Sequence, residues 1–251
     1  MKEIKILKTK VNALTLSELH DKIKGLIVNE QKATIDYLNI YSANIAYEEE
    51  WFANFLNSCS IVLCDGKGIQ MGAYFLGKEI PSQIAYNRWL WDFFRFCQTE
   101  HYSIFLLGSK PGVFQKAIEK INENGYKLIL DGYHGYFNKS NHENDKVIDI
   151  INEFCPDILL VGFGMPIQEK WIIENRERLN AKVVILGGAF LEWISGSVKL
   201  PPKFVTKFGL EWLYRLVLEP RRLAHRYLVG IPLFFIRIFF YRFLKNRSNF
   251  P

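Results

Sequence analysis

Five short aliphatic runs, each emptying into a glycine-bearing loop, constrain the fold of this 251-residue chain more than any other feature. They are Ser60–Cys64 before Asp65-Gly66, Ser103–Leu107 before Gly108, Lys127–Leu130 before Asp131-Gly132, Asp157–Val161 before Gly162-Phe-Gly164, and Lys182–Leu186 before Gly187-Gly188. Runs of this length, rich in Val, Ile and Leu, read as strands buried on both faces, and the glycines end them. Helical spacing fills the gaps. Thr15-Leu-Ser-Glu18 resembles a capping box ahead of Leu16, Leu19, Ile23 and Leu26, and Ser42 caps a helix through Leu56. Further helices are expected over Ile69–Leu76, Arg88–Cys97, Val113–Asn124, Glu143–Phe154 and from Glu169 to Leu179. Glu3–Leu7 and Ala33–Tyr41 add strand candidates.

Strands alternating with helices demand a parallel sheet covered on both faces and joined by right-handed crossovers. The expected fold is therefore α/β, a Rossmann-like, mostly parallel sheet over residues 1–200. Beyond Pro201-Pro202 the strand signal stops, and Lys203–Leu218, Pro220–Leu228 and Pro232–Lys245 read as helices, with Pro220 and Pro232 in first turns. Residues 201–251 thus form an all-helical appendage. At 49% hydrophobic and 23% charged residues the chain is a folded globular protein and not a disordered one. Cys59, Cys64, Cys97 and Cys155 make no CxxC pair and suit a reducing compartment, and Met1–Lys10 offers no signal-peptide core, which places the chain in the cytoplasm.

The net charge of +6 is unevenly spread. Ten basic and two acidic residues follow residue 202, giving +8 there and leaving −2 for the body. A basic end on a neutral body points to an anionic partner: nucleic acid, a phosphorylated ligand or a membrane surface.

Several chemistries are disfavoured. Gly162-Phe-Gly164 has Ile167 where the dinucleotide fingerprint needs its third glycine, no Walker pattern occurs, and a nicotinamide oxidoreductase loses its support. His20, His101, His134, His142 and His225 form neither HxxxH nor HxH, so no metal site is expected. Phe163 stands where a nucleophile elbow would carry serine. Carboxylates at strand ends remain: Asp65, then Glu169 and Glu192, although Asp-Gly is by itself a turn signal and an acid at a helix start is favoured by the dipole. Such loops also present backbone N–H groups to phosphate. Arg215, Arg222 and Arg226, seven and four apart, would share one face of a continuous helix and suit diphosphate recognition, as they would suit a solvated face.

The last stretch decides between anionic partners. Leu228–Phe243 is short for a membrane span and contains Pro232 and Arg237. At 100° per residue Phe235, Ile236, Phe239, Phe240 and Phe243 gather on one half, opposite Arg237, Tyr241, Arg242 and Lys245, which share theirs with Phe234 and Ile238. A basic, aromatic-rich helix fits the membrane interface, and a partner subunit is the rival occupant; so much aliphatic and Phe surface serves no nucleic acid.

Five segments then carry a resemblance. They are Cys-Asp-Gly-Lys-Gly (64–68), Phe-Leu-Leu-Gly (105–108), His-Gly-Tyr-Phe (134–137), Asp-Ile-Leu-Leu-Val-Gly-Phe-Gly-Met-Pro-Ile-Gln-Glu-Lys-Trp (157–171), and Gly-Leu-Glu-Trp-Leu-Tyr-Arg-Leu with Glu-Pro-Arg-Arg and Arg-Tyr (209–227). In this order they resemble the WecG/TagA/CpsF family of bacterial glycosyltransferases along nearly the whole chain. The resemblance implies inverting, metal-independent transfer of a hexosamine-type sugar from a UDP donor to a polyprenyl-diphosphate-linked acceptor, in cell-surface polysaccharide assembly and without a cofactor. It implies Asp65 as general base, and substrate contacts at Tyr37, Asn39, Arg88, Gly108, Gln168, Glu169, Glu192, Arg215, Arg222 and Arg226. It implies a peripheral enzyme on an anionic membrane surface at the inner face of the plasma membrane, with no nucleic-acid partner, and leaves self-association open. Four segments depart from the family pattern. Tyr37-Leu-Asn39 replaces Thr-x-Asn, and Ser82–Arg88 ends in a base where an acid is usual. Leu191-Glu192 replaces Phe-Asp, and Leu200-Pro-Pro202 replaces Arg-Ala-Pro. These changes fall at sugar contacts, so the sugar's identity stays open, and a non-catalytic lipid-linked-sugar-binding partner of a synthase complex is the alternative.

Overall fold

A computed structural model describes residues 2–81, 84, 86–199, 201–202, 205 and 210–247, with the backbone alone for 86–88 and 245–247. The side chain of Arg88 and the expected helix start at Lys203 lie outside the described residues. The strands are β1 (Lys2–Ile6), β2 (Thr9–Ala13), β3 (Ala33–Leu38), β4 (Ile61–Cys64), β5 (Ile104–Gly108), β6 (Leu130–Tyr133), β7 (Ile158–Gly162) and β8 (Val183–Leu186). Six of them form one sheet in the order β4-β3-β8-β7-β5-β6, and β1 and β2 form a separate two-stranded ribbon. The expected α/β fold is the one adopted. By contact density the chain divides into two compact units, Met1–Thr15 with Tyr37–Ala85 and Leu200–Pro251, and Leu16–Asp36 with Tyr86–Lys199.

The second unit holds the longer part of the sheet. Its pairings β3–β8, β8–β7, β7–β5 and β5–β6 are all parallel. β5, β7 and β8 are buried at every position, as continuous aliphatic runs in a covered sheet require. The helices of this unit are α1 (Leu16–Val28), α5 (Tyr86–Glu100), α6 (Val113–Glu123), α7 (His142–Phe154), α8 (Ile167–Asn175) and the short α9 (Phe190–Ile194). Glycines end the strands because the backbones there nearly touch. A Cβ on Gly108 would lie 2.4 Å from the Gly162 carbonyl oxygen, and one on Gly162 would lie 2.5 Å from that of Gly188.

β6 lies three residues later than the expected Lys127–Leu130. Leu130, Asp131, Gly132 and Tyr133 pair with Ile104–Leu107, so ladder hydrogen bonds override the Asp-Gly turn signal. Gly132 makes this feasible, since a Cβ there would lie 2.5 Å from the Leu106 carbonyl oxygen.

The first unit contains the β1–β2 hairpin, of which β2 had no expected counterpart, together with β4 and the helices α2 (Ile40–Glu48), α3 (Glu50–Ser58) and α4 (Lys67–Phe75). Asn12 of β2 accepts a 2.6 Å hydrogen bond from the Val62 amide of β4. The helix expected from Ser42 to Leu56 is two helices, parted at Glu49 in extended backbone. Its cap is Asn39 and not Ser42: Asn39 Oδ1 accepts from the Ser42 amide at 3.0 Å, and Ser42 Oγ accepts from the Asn39 amide at 2.8 Å.

The appendage belongs to this unit. α10 (Glu211–Leu218) ends at Glu219, which Pro220 holds out of the helical region, and α11 (Pro220–Ala224) follows. The turn His225–Val229 is π-helical and runs without a break into α12 (Gly230–Arg247). The expected interruption before Pro232 is therefore absent: the widened turn is where the hydrogen-bond ladder slips ahead of the proline's missing N–H. Pro220–Leu244 makes 25 helical residues, within which an 18-residue window reaches a mean hydropathy of 1.6, long and apolar enough to cross a membrane by length and composition, which removes the shortness expected of this stretch. The arginine-bearing half of α12 faces its own unit. Phe234 and Ile238 are fully buried, Arg237 bonds Asn44 and Glu48 of α2, and Arg242 donates to the Phe75 carbonyl of α4. Ile236, Phe239, Phe240, Phe243 and Leu244 remain exposed.

Candidate active site

Two helix starts and a corner of the appendage build a cleft around Asp65 in the first unit. β4 delivers Asp65 to its carboxyl end, where the Asp65 amide donates to the Leu38 carbonyl at 2.9 Å. Gly66, at φ 93°, turns the chain into α4. Only glycine takes that backbone without strain. The capping box fixes Asn39 so that its Oδ1 serves α2, which leaves Nδ2 to donate to Asp65 at 3.5 Å. The N-terminal turns of α2 and α4, through Asn39, Ile40, Tyr41, Gly66, Lys67 and Gly68, line one side of a cleft of about 180 Å³. Helix N-termini favour anions there. Glu211, Trp212, Arg215, Arg226 and Tyr227 close the other side, and Ile231 of α12 completes it.

The electrostatics are mixed by design of the residues. Burial pushes the Asp65 carboxyl up to about 6 from 3.8; the Asn39 bond and the Arg226 and Arg215 guanidinium groups pull it down, and Glu211 pushes it further up. A carboxylate so placed titrates near neutrality and can take a proton as a general base. Burial, with Asp65 next to it, also pushes the Cys64 thiol up to about 12, so Cys64 supplies no thiolate. Arg226 lies over the Tyr41 ring at 4.3 Å, and among the described residues its buried Nε and the buried Glu211 Oε1 have no hydrogen-bond partner. Unsatisfied buried donors and acceptors of both signs in one cleft suit a ligand that carries hydroxyls and phosphate.

Four of the expected residues therefore meet: Asp65, Asn39, Arg215 and Arg226. Tyr37 is buried in β3, outside the residues that line this cleft. Arg222 is exposed and makes a two-pronged ion pair with Glu219 at 2.6 and 2.8 Å. The corner at Glu219-Pro220 explains this, because it breaks the continuous face on which the three arginines would have lined up. Glu211, Trp212, Tyr41 and Lys67 were not expected. Glu211 had a legible signal, since it lies four residues before Arg215 on one helix face.

The second unit holds a group of expected residues at the ends of β7 and β8. Gln168 is fully buried, and its Oε1 accepts from the Gly164 and Gly188 amides at 3.2 Å each, tying the two loops. Its Nε2 donates to Glu169 Oε1 at 2.9 Å. Glu169 Oε2 is buried and has no hydrogen-bond partner among the described residues, and burial pushes this carboxyl up to about 7. Gly108 closes β5 in the tight approach already described. Glu192 lies in α9, its buried Oε2 without a hydrogen-bond partner among the described residues.

Comparison with known proteins identifies relatives along nearly the whole chain. The model of the Glycosyl transferase WecG/TagA/CpsF family matches residues 4–248. A protein of Staphylococcus aureus (strain MRSA252) named N-acetylglucosaminyldiphosphoundecaprenol N-acetyl-beta-D-mannosaminyltransferase is 25% identical over 238 residues, which cover 94% of this chain and 92% of the relative. Its counterpart from strain NCTC 8325 / PS 47 is 24% identical over the same span.

Proposed function

The chain belongs to the glycosyl transferase WecG/TagA/CpsF family, and from that premise we propose that it moves a hexosamine-type sugar from a UDP donor onto a polyprenyl-diphosphate-linked sugar, with inversion and without a metal. The observation that carries the reading is the meeting of the Asp65 carboxylate with Arg215, Arg226 and two helix N-termini in one cleft. Asp65 takes the proton of the acceptor hydroxyl as its oxygen forms the new bond to the anomeric carbon. The bond from that carbon to the diphosphate breaks on the opposite face, and UDP leaves with the electron pair. Arg215 and Arg226 offset negative charge on diphosphate in the cleft. The names of the Staphylococcus aureus relatives, which specify a diphosphoundecaprenol acceptor, support the acceptor class.

The enzyme works as a peripheral protein at the inner face of the plasma membrane. Supporting this, α12 points Arg237 at α2 and leaves Ile236, Phe239, Phe240, Phe243 and Leu244 exposed, an apolar outer face unlike that of a helix made for water. The test is transfer from radiolabelled UDP-sugars to a lipid-linked acceptor. Wild type should transfer one sugar of the panel and Asp65→Ala should transfer none; undiminished turnover in the variant removes Asp65 from the mechanism.

A further inference from the structure

A second concavity adjoins the Asp65 cleft, and it is almost wholly apolar. It lies between α4 and α12, holds about 650 Å³, and is lined by Met71, Phe75, Phe235, Ile238, Phe239 and Arg242. We propose that this groove holds the prenyl chain of the acceptor, as the continuation of the cleft that holds its diphosphate and sugar. The inference rests on the reading under "Proposed function".

The two sites share the same helix faces. On α4, Gly68 lines the cleft while Met71 and Phe75 line the groove, spaced three and four apart on one side of the helix. On α12, Ile231 lines the cleft while Phe235, Ile238 and Arg242 line the groove, with steps of four, three and four along one side. At a rise of about 1.5 Å per residue, the groove begins roughly 5 Å beyond the cleft on both helices. A chain leaving the cleft past Gly68 and Ile231 therefore meets apolar surface within about one helical turn.

The groove is built with a floor and an end. α4 and α12 touch at Gly72, where a Cβ would lie 2.7 Å from the Phe234 ring, and the buried Ile238 lines the groove between them. Phe75 and Phe235 meet edge to face at 6.0 Å, and the Arg242 guanidinium donates to the Phe75 carbonyl at the far end. Met71, Phe75 and Phe239 are nonetheless 51%, 47% and 66% exposed. Each leaves apolar area in water that an occupant would cover. The exposed line Ile236, Phe240 and Leu244 is a different stripe of α12 and stays available to the membrane.

The test is a calorimetric titration of the full chain with farnesyl diphosphate, isopentenyl diphosphate, inorganic diphosphate and farnesol, below micelle-forming concentration. Wild type should bind farnesyl diphosphate at least about ten-fold more tightly than isopentenyl diphosphate. Met71→Glu and Phe239→Glu, both at exposed positions and each checked by circular dichroism and melting, should reduce that preference to about three-fold or less while leaving inorganic diphosphate binding unchanged. Equal affinity for the long and short diphosphates in wild type overturns the proposal, as does a preference that survives both variants. Farnesol binding as tightly as farnesyl diphosphate also overturns it, because it marks a groove for bulk lipid or another apolar partner. A tail preference in a protein that turns over no UDP-sugar would instead defeat the transferase reading and leave the groove standing.

Discussion

Asp65→Asn should remove activity and stabilise the fold. The carboxyl is held at about 6 where an ordinary aspartate has 3.8, chiefly because it is desolvated at the end of β4. That gap corresponds to about 3 kcal/mol at 1.36 kcal/mol per pH unit. Water reaches part of the side chain in the open cleft, so screening reduces the expected gain to about 1–3 kcal/mol. Asparagine mimics the protonated form and can still accept from Asn39 Nδ2. The folded state binds the Asp65 proton more tightly than the unfolded chain does. Its stabilising contribution is thus complete below pH 3.8 and lost as the pH rises through about 6. The asparagine variant should therefore melt above wild type at pH 7.5, by roughly 2–10 °C for a chain of this size. The difference should shrink steadily as the pH is lowered toward 4. Calorimetric melting of the two proteins at pH 7.5, 6 and 4.5 measures it. A variant that melts at or below wild type at pH 7.5, or a difference that does not change with pH, refutes the desolvated-base argument.

Glu211→Gln should move the acid limb of the pH–kcat/KM profile to lower pH, because a like charge facing Asp65 is removed; an unmoved limb separates the two carboxylates. Gly162→Ala should cost about 1–3 kcal/mol in urea denaturation, since the new Cβ meets the Gly188 carbonyl and the Phe190 ring at the ends of β7 and β8; a neutral substitution would show that the strand ends give way easily. Replacing Ile236, Phe240 and Leu244 together by Ser should release the protein from anionic vesicles in flotation without changing its melting temperature, as all three are exposed; continued flotation assigns membrane contact elsewhere.

Much of the fold was legible because burial on both faces of a parallel sheet leaves a local mark. The runs 61–64, 104–107, 158–161 and 183–186 needed no partner to be recognised as strands, and the glycines after them announced where backbones converge. β6 was misplaced because its last three residues carry turn chemistry that only pairing with β5 overrides. β2 was missed because Thr9–Ala13 alternates too weakly to declare itself without β1 beside it.

The site divides along the same line. Local sequence by itself determined that a carboxylate, Asp65, ends a buried strand at a glycine turn, and that basic and aromatic residues crowd one end of the chain. Tertiary structure alone decided which arginines reach that carboxylate, through the corner at Glu219-Pro220, and that Glu211 joins them. It alone decided that α12 presents Arg237 to α2 and Arg242 to α4, buries Phe234, and leaves Phe239, Phe240 and Phe243 outward. The physical reason is range: hydrophobic periodicity and turn preference act over a few neighbouring residues. The field at a buried carboxyl and the choice of which helix face is covered depend on groups brought together from far apart in the chain.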